Sequence, residues 1–460
     1  MSQINRDLLR DGVAYVDQWI AYQQERREIP GVVVAIRHED QLLLSQGYGY
    51  ADLDRATPMT PRHVFRIASH SKTFTATAIM QLVEQDKLRL DDRLASYIPW
   101  LGQQDTLARV TIRQVLNHTA GIVRDGVEAD YWQLEGAFPD AGELRHLVEE
   151  DGAVLDANES FKYSNIGYAL LGLVIEAASG IPYNTYVSRY IVERLGLSDT
   201  GPETDDHARE RLVTGYTARR PGLTRWPIAD VSTRALSPAT GFYATAEDLC
   251  RYAAAHFNGD DTLLSDAAKR EMQQPYWAIA QADECYGLGF VVAEIGERRM
   301  IGHGGGFPGH ATRTLLDPID RLVVTVLTNE TGAPAAVLAR AIVTILDYAL
   351  KRSTEAGSPS IPREWFTGRF VNTSGVTDVA AFGNTLVALS PEGDDPIKSP
   401  TCLTIEDEDT LRIGATNGYG APGETVRYVR DDTGRVARVI IGGVSSYLLE
   451  VYHDRARERA

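Results

Sequence analysis

A chain of 460 residues, 43% apolar and 24% charged, holds enough aliphatic side chains for a large core and exceeds the usual size of one compact domain. Its 46 basic and 63 acidic residues give a formal net charge of −17, a surface that repels phosphate backbones and anionic lipid. No run of Lys and Arg supplies a local exception, so neither nucleic acid nor membrane is expected as a partner.

The N-terminal stretch lacks the charged start, apolar run and small-residue cleavage site of a signal peptide, and no segment offers the ~20 apolar residues of a membrane span. The expected location is cytoplasmic. Leu8, Leu9, Val13, Val16, Trp19 and Ile20 recur at helical spacing and predict an amphipathic helix that ends before Pro30. Two aliphatic runs, 31–37 and 41–49, flank His38-Glu39-Asp40 as the arms of a hairpin. A helical pattern covers 69–84, followed by a polar, turn-rich segment over 88–94. Further helices are predicted over 167–178, 185–195 and 246–257, a buried strand over 321–329 and a helix over 336–350. Strands at both ends of a helical region imply a mixed sheet that the chain leaves and rejoins.

Residues 351–362 (KRSTEAGSPSIP) shift to small, polar and Pro residues and read as a linker. Beyond it come short alternating runs over 368–371, 378–382, 385–389, 410–413, 425–429, 437–441 and 446–452, with a hairpin turn at 431–434. Seven or so such strands predict a small all-β sandwich or barrel. The expected division is one larger domain over 1–350, a linker over 351–362 and a β domain over 363–460. Cys250, Cys285 and Cys402 match no zinc or redox spacing and make no disulfide framework, so reduced thiols are expected.

Three short segments carry chemistry. Ser69 and Lys72 stand three apart at the head of a helical run, which sends both side chains from one face. A serine hydroxyl needs a neighbouring base, and a lysine serves once burial or other cations lower its pKa from about 10.4. The backbone N–H at the helix start is an oxyanion donor. An N-cap serine followed by a solvated lysine gives the same spacing, so the pair needs corroboration from elsewhere in the chain. Tyr163 and Asn165, two apart and leading into a helix, turn two polar groups the same way: Tyr163 as general base or relay, Asn165 as donor to Lys72 or a substrate carbonyl. The alternative is a helix-starting loop with an Asn cap. In 301–310 (IGHGGGFPGH) the glycines permit close backbone approach to a ligand and His303 adds a polar head. The dinucleotide fingerprint that this run formally fits fails because Pro308 stands where a helix should begin. The lipase reading fails for want of a GxSxG elbow.

Ser-x-x-Lys, then Tyr-x-Asn, then His-x-Gly in a Gly-rich strand resembles the class C β-lactamase, penicillin-binding protein and D-aminopeptidase superfamily. Residues 116–121 (LNHTAG), 194–200 (RLGLSDT) and 241–249 (GFYATAEDL) look like further landmarks of that superfamily, and the resemblance covers roughly residues 10–350. It implies an α/β (α+β) domain with a largely antiparallel sheet beside a helical region, and a site in the groove between. It implies Ser69 as the acylated nucleophile, Lys72 and Tyr163 as the proton-transfer pair, and Asn165 as an orienting group. The N–H groups of Ser69 and Gly306 would form the oxyanion hole, with His303 and Gly305 on the substrate side. The C-terminal segment is similar to the lipocalin-like β-barrels appended to D-aminopeptidase relatives. It would narrow the cleft, place a loop over it, or mediate dimerisation; a homo-oligomer is left open.

One departure bears on substrate. β-Lactamases usually carry Lys-Thr-Gly where this chain has His303-Gly304-Gly305, and a histidine is largely neutral at pH 7. Loss of a permanent cation argues against β-lactam turnover and for a small peptide, amide or ester, handled by a D-aminopeptidase, amidase or carboxylesterase. An acyltransferase uses the same chemistry, and a non-catalytic binding protein is the rival of another class. His70, His118 and His310 are expected to be structural, and neither metal nor organic cofactor is expected. Tyr131, Trp132, Phe138 and Trp226 lie in the loops 121–153 and 201–240, as acyl pocket or as core.

Overall fold

The computed structural model describes residues 4–103, 106–352, 361–416 and 420–459. The chain divides into two compact units, residues 29–339 on the one hand and 1–28 with 340–460 on the other. These boundaries differ from the division expected at 350: the first helix and most of the last helix before the linker group with the C-terminal strands. Most of the predicted linker, 353–360, lies outside the described residues.

The larger unit is built on a nine-stranded sheet, antiparallel throughout. The hairpin Gly31–His38 and Gln41–Asp52 forms one side. Leu322–Thr328, nearly three hundred residues later, pairs with Gly31–His38 in the register Val34 opposite Val326. His310–Asp317, Arg298–Phe307 and Val291–Ile295 follow in order. The chain therefore leaves the sheet after its second strand and rejoins it, as the sequence implies, but with antiparallel rather than mixed pairing. Strands 31–38 and 322–328 are aliphatic on both faces because both faces are covered.

The excursion between them is helical. Ser71–Glu84 is buried almost all round, which explains its lack of a polar face. Asn165–Ser179 packs beside it, and a single core runs from these helices to the sheet. Arg66, fully buried, ties the segment before Ser69 to the loop 201–241. Its guanidinium donates to Gly241 O and Val231 O, both at 2.9 Å, and lies 3.6 Å from Glu203 and 3.4 Å from Asp230.

The smaller unit holds the helix Arg6–Arg26 and a closed barrel of eight antiparallel strands, from Gly368–Asn372 round to Val444–Leu448. Phe366, Phe370, Leu411, Val426, Tyr428 and Val439 fill the barrel. The N-terminal helix is pinned to it: Tyr15 Oη donates to Asp378 Oδ2 at 3.1 Å and Trp19 Nε1 to Pro391 O at 3.2 Å. A Cβ at Gly12 would stand 3.1 Å from atoms of Leu346 and Ala349, so glycine lets this helix lie close against 340–350. Two details differ from the expected strands. Thr401–Asp407 is an additional strand, and the run over 446–452 stops at Leu448, where the charged sequence Leu449–Arg459 turns helical.

Among the described residues no single helix is long and apolar enough to cross a membrane, and no group of three His, Cys, Asp or Glu converges as metal ligands would.

Candidate active site

The segment that carries Ser69 makes a tight turn before its helix. Ala68 takes the left-handed conformation, φ +47°, an uncommon state for a residue with a side chain, and a short 3₁₀ turn over Ala68–His70 leads into Ser71–Glu84. Local bonds hold the turn. Ser71 Oγ donates to Ala68 O at 2.6 Å and accepts from Phe242 N, and the His70 ring bridges Ile67 O at 3.0 Å and Thr314 Oγ1 at 3.1 Å. His70 thus ties the turn to the sheet. Ser69 is left partly exposed at the cleft floor.

Lys72, one turn on, is completely buried. Its Nζ lies 3.2 Å from Ser69 Oγ, 2.6 Å from Asn165 Oδ1 and 2.9 Å from Ala239 O. Burial pushes its pKa well below the ordinary lysine value; the Asp125 carboxylate opposes that push and Arg124 adds to it. Asn165 is free to reach Lys72 because it is not the cap of its helix. Ser164 is, accepting from Gly167 N at 2.8 Å. Tyr163 shares a hydrogen bond with Ser69, and burial raises its pKa, so the phenol keeps its proton. His118, φ +61°, accepts from Ser164 N at 3.2 Å and packs its ring 4.2 Å from that of Tyr163. It positions the Tyr163–Asn165 turn, and burial keeps its imidazole neutral.

The Gly-rich strand forms the opposite wall. Gly304, Gly305 and Gly306 line the cleft with Ser69, Tyr163 and Asn165, around about 380 Å³. Gly305 is a steric necessity: a Cβ there would stand 2.2 Å from Ile67 O, while one at Gly306 would meet nothing within 4 Å. His303 does not reach the cleft. Its ring shares the face that Gly305 presents to the segment before Ser69, paired with Tyr286 Oη at 2.9 Å and beside the His70 ring at 6.2 Å. Expected on the substrate side, it instead braces the wall from behind.

Two residues that carry no motif in the sequence complete the site. Arg124 and Asp125 line the cleft. Asp125 Oδ1 accepts from Asn165 Nδ2 at 2.6 Å and from Trp132 Nε1 at 3.0 Å, and Oδ2 accepts from Arg124 Nε at 3.1 Å. The cleft therefore does carry a permanent cation, although Asp125 offsets it. Their only signal in the sequence is a charged pair directly after the apolar 120–123 run. Of the four loop aromatics, Tyr131 and Phe138 are core, Trp132 lines the cleft and Trp226 is exposed.

A serine, a buried lysine with a lowered pKa and a protonated tyrosine meet in one cleft, and the Beta-lactamase family profile matches residues 16–347. The chain belongs to this family. Curated relatives include protein flp of Staphylococcus aureus, 24% identical over 334 residues, a match spanning 70% of this chain and 64% of that protein. Penicillin-binding protein 4* of Bacillus subtilis is 27% identical over 328 residues, 66% of this chain and 69% of its own. The chain thus spans less than two thirds of the length of the flp relatives. An octameric penicillin-binding protein homologue from Pyrococcus abyssi superposes with a TM-score of 0.66 at 23% identity, over 94% of this chain and 99% of that one. D-Amino acid amidase from Ochrobactrum anthropi SV3 gives 0.60 at 24%, over 72% and 96%. EstCE1, described as a hydrolase with promiscuous acyltransferase activity, gives 0.64 at 24%, over 73% and 99%. These likenesses establish the beta-lactamase fold, with the C-terminal barrel in addition.

Proposed function

We propose that this protein is a serine hydrolase that forms an acyl-enzyme on Ser69 and resolves it with water, acting on small peptides, amides or esters. The bonding of Lys72 carries the reading. A neutral amine has two N–H groups and one lone pair. Asn165 Oδ1 and Ala239 O accept the two N–H groups at 2.6 and 2.9 Å, which leaves the lone pair for the hydroxyl of Ser69 at 3.2 Å. Bringing an ammonium into this site costs several kcal/mol, so burial favours the form that accepts a proton.

Attack of Ser69 Oγ on the substrate carbonyl transfers the hydroxyl proton to Lys72 Nζ as the C–O bond forms. The proton then passes through the Tyr163 phenol to the departing nitrogen or oxygen as its bond to carbon breaks, and Tyr163 ends as it began. Water repeats the cycle on the acyl-enzyme: its proton goes to Lys72, the acyl–Oγ bond breaks, and Ser69 recovers the proton as the acid leaves. The N–H groups of Ser69 and Gly306, on facing walls, are the assigned donors to the oxyanion. The D-amino acid amidase and the hydrolase EstCE1 among the structural neighbours support an acyl-transfer chemistry of this kind. With Asp125 bonded to Arg124, the cleft favours substrates without a carboxylate next to the scissile bond. Acyl transfer is the same chemistry with an alcohol or amine in place of water, and the EstCE1 neighbour supports it as a second reading.

A panel of D-amino-acid amides and short-chain esters tests the proposal, with turnover and the mass of acid-quenched protein both followed. Turnover of at least one class, an acyl adduct on Ser69, and a loss of about 10⁴-fold or more in Ser69→Ala are expected. Turnover that survives Ser69→Ala would overturn it.

A further inference from the structure

The cleft around Ser69 does not end at Trp132. A second chamber of about 490 Å³ adjoins it, and Trp132 and Gly306 belong to the walls of both. Trp132, Leu223, Trp226, Ile228 and Phe307 supply its apolar surface, with His310 in its wall. Among the described residues lining the chamber, Arg220 alone carries a charge, and burial holds His310 neutral, its pKa pushed down to about 3. Gln133, Thr217 and Thr331 add uncharged polar groups, so the wall is apolar for its larger part and almost without charge, which suits an apolar group with a polar edge.

Two observations make this more than a gap between loops. Trp226 and Leu223 are 56% and 57% exposed, a pair of large apolar side chains left in water at the chamber's rim. The ribbon that carries them is also held in place. Gly215–Tyr216 pairs with Pro227–Ile228, Thr217 N donates to Trp226 O at 3.2 Å, and Arg225 Nε donates to Glu330 Oε1 at 2.9 Å. On the other side Asp125 fixes Trp132 through its indole N–H, and the Trp132 ring meets Phe307 edge to face at 6.0 Å. The backbone that frames the chamber is held in place, so an apolar group that enters has only the exposed Trp226 and Leu223 side chains to order.

We propose that this chamber receives the acyl group of the substrate and selects an apolar one of aromatic or medium aliphatic size. The inference rests on the hydrolase reading above. Its direction follows from Tyr163, which lines the nucleophile cleft and not the chamber. The leaving group must lie where Tyr163 can protonate it, so the acyl part extends the other way, past Gly306 and Trp132.

The test is kcat/KM for p-nitrophenyl esters from acetate to octanoate with phenylacetate, alongside acetate esters of varied alcohols, on wild type, Trp226→Ala and Leu223→Ser. Burying several more methylenes or a phenyl ring favours the larger acyl group, so hexanoate or phenylacetate should exceed acetate at least tenfold in wild type. The ratio of long to short acyl chain should fall at least fivefold in each variant. A wild type indifferent to acyl size, a preference that follows the alcohol, or variants that slow all esters alike would overturn the chamber's role while leaving the hydrolase reading intact. No turnover of these esters or of the D-amino-acid amides, together with no acyl adduct on Ser69, would instead remove the hydrolase reading, and this inference with it.

Discussion

The Asn165 amide oxygen accepts a hydrogen bond from the Lys72 amine at 2.6 Å. The other end of that amide donates to Asp125 Oδ1, also at 2.6 Å, so a neutral carbonyl faces the lysine and the carboxylate stands one amide further off. This spacing lets burial dominate the Lys72 pKa, which falls despite Asp125. In the proposed mechanism the active base is the neutral amine, so activity should rise with pH through the Lys72 pKa and be lost below it.

Asn165→Asp places a carboxylate against the amine. An opposite charge at that distance raises a lysine pKa by about 1–3 units, so the acid limb of kcat/KM should move up by at least one unit and activity at pH 7 should fall at least tenfold. Recovery at pH 9 to 10 distinguishes this from misfolding. A pH–rate profile over pH 5–10 makes the measurement, and an unmoved limb in Asn165→Asp would show that Lys72 is not the titrating base.

Adjacent glycines should respond in opposite ways. A Cβ at Gly305 would press on the carbonyl of Ile67, two residues before Ser69, whereas a Cβ at Gly306 meets nothing within 4 Å. Gly305→Ala should displace the wall from Ser69 and reduce kcat/KM by about 10²-fold or more, the scale of losing alignment by an ångström. Gly306→Ala keeps the N–H assigned to the oxyanion and should stay within a few fold of wild type. Equal losses in both would contradict this account of the wall.

Buried histidines predict an acid-sensitive fold: burial lowers the pKa of His118 and His303 well below the ordinary value, and of three others besides. Burial pushes His70 and His256 down to about 4 and His310 to about 3. The unfolded chain binds protons at these positions below about pH 6.5, and the folded one does not until pH 3–4. Stability from this source is therefore complete above pH 6.5 and is lost as pH falls towards 4, by about 1.4 kcal/mol per pH unit for each group. Denaturant unfolding at pH 7.0 and 5.5 should show a loss of several kcal/mol, and His256→Gln should flatten the slope by one group's share. Equal stability at the two pH values would contradict the prediction.

The parts of the site that the sequence displays are those fixed within one helical turn. Ser69 with Lys72, and Tyr163 with Asn165, keep their geometry because each pair spans a helix start. Arg124, Asp125 and the carbonyl of Ala239 were not legible. Their positions depend on loops whose course is set by distant contacts, such as Arg124 O accepting from Asn165 N at 2.9 Å. The direction of His303 was equally hidden. Strand alternation puts it on the same face as Gly305, but only the packed structure shows that this face meets Ile67 and Tyr286 rather than the cleft. The apolar stripe of the first helix was readable, yet its placement was not. Its partner Asp378 lies 363 residues away in the barrel.

Labelling with a fluorophosphonate tests the central claim, an activated serine at position 69, without knowledge of the substrate. Intact mass after incubation should show one adduct on the wild type and none on Ser69→Ala, with Lys72→Met labelled more slowly by about 10²-fold or more. No adduct on folded wild-type protein, or an adduct that persists in Ser69→Ala, would contradict it.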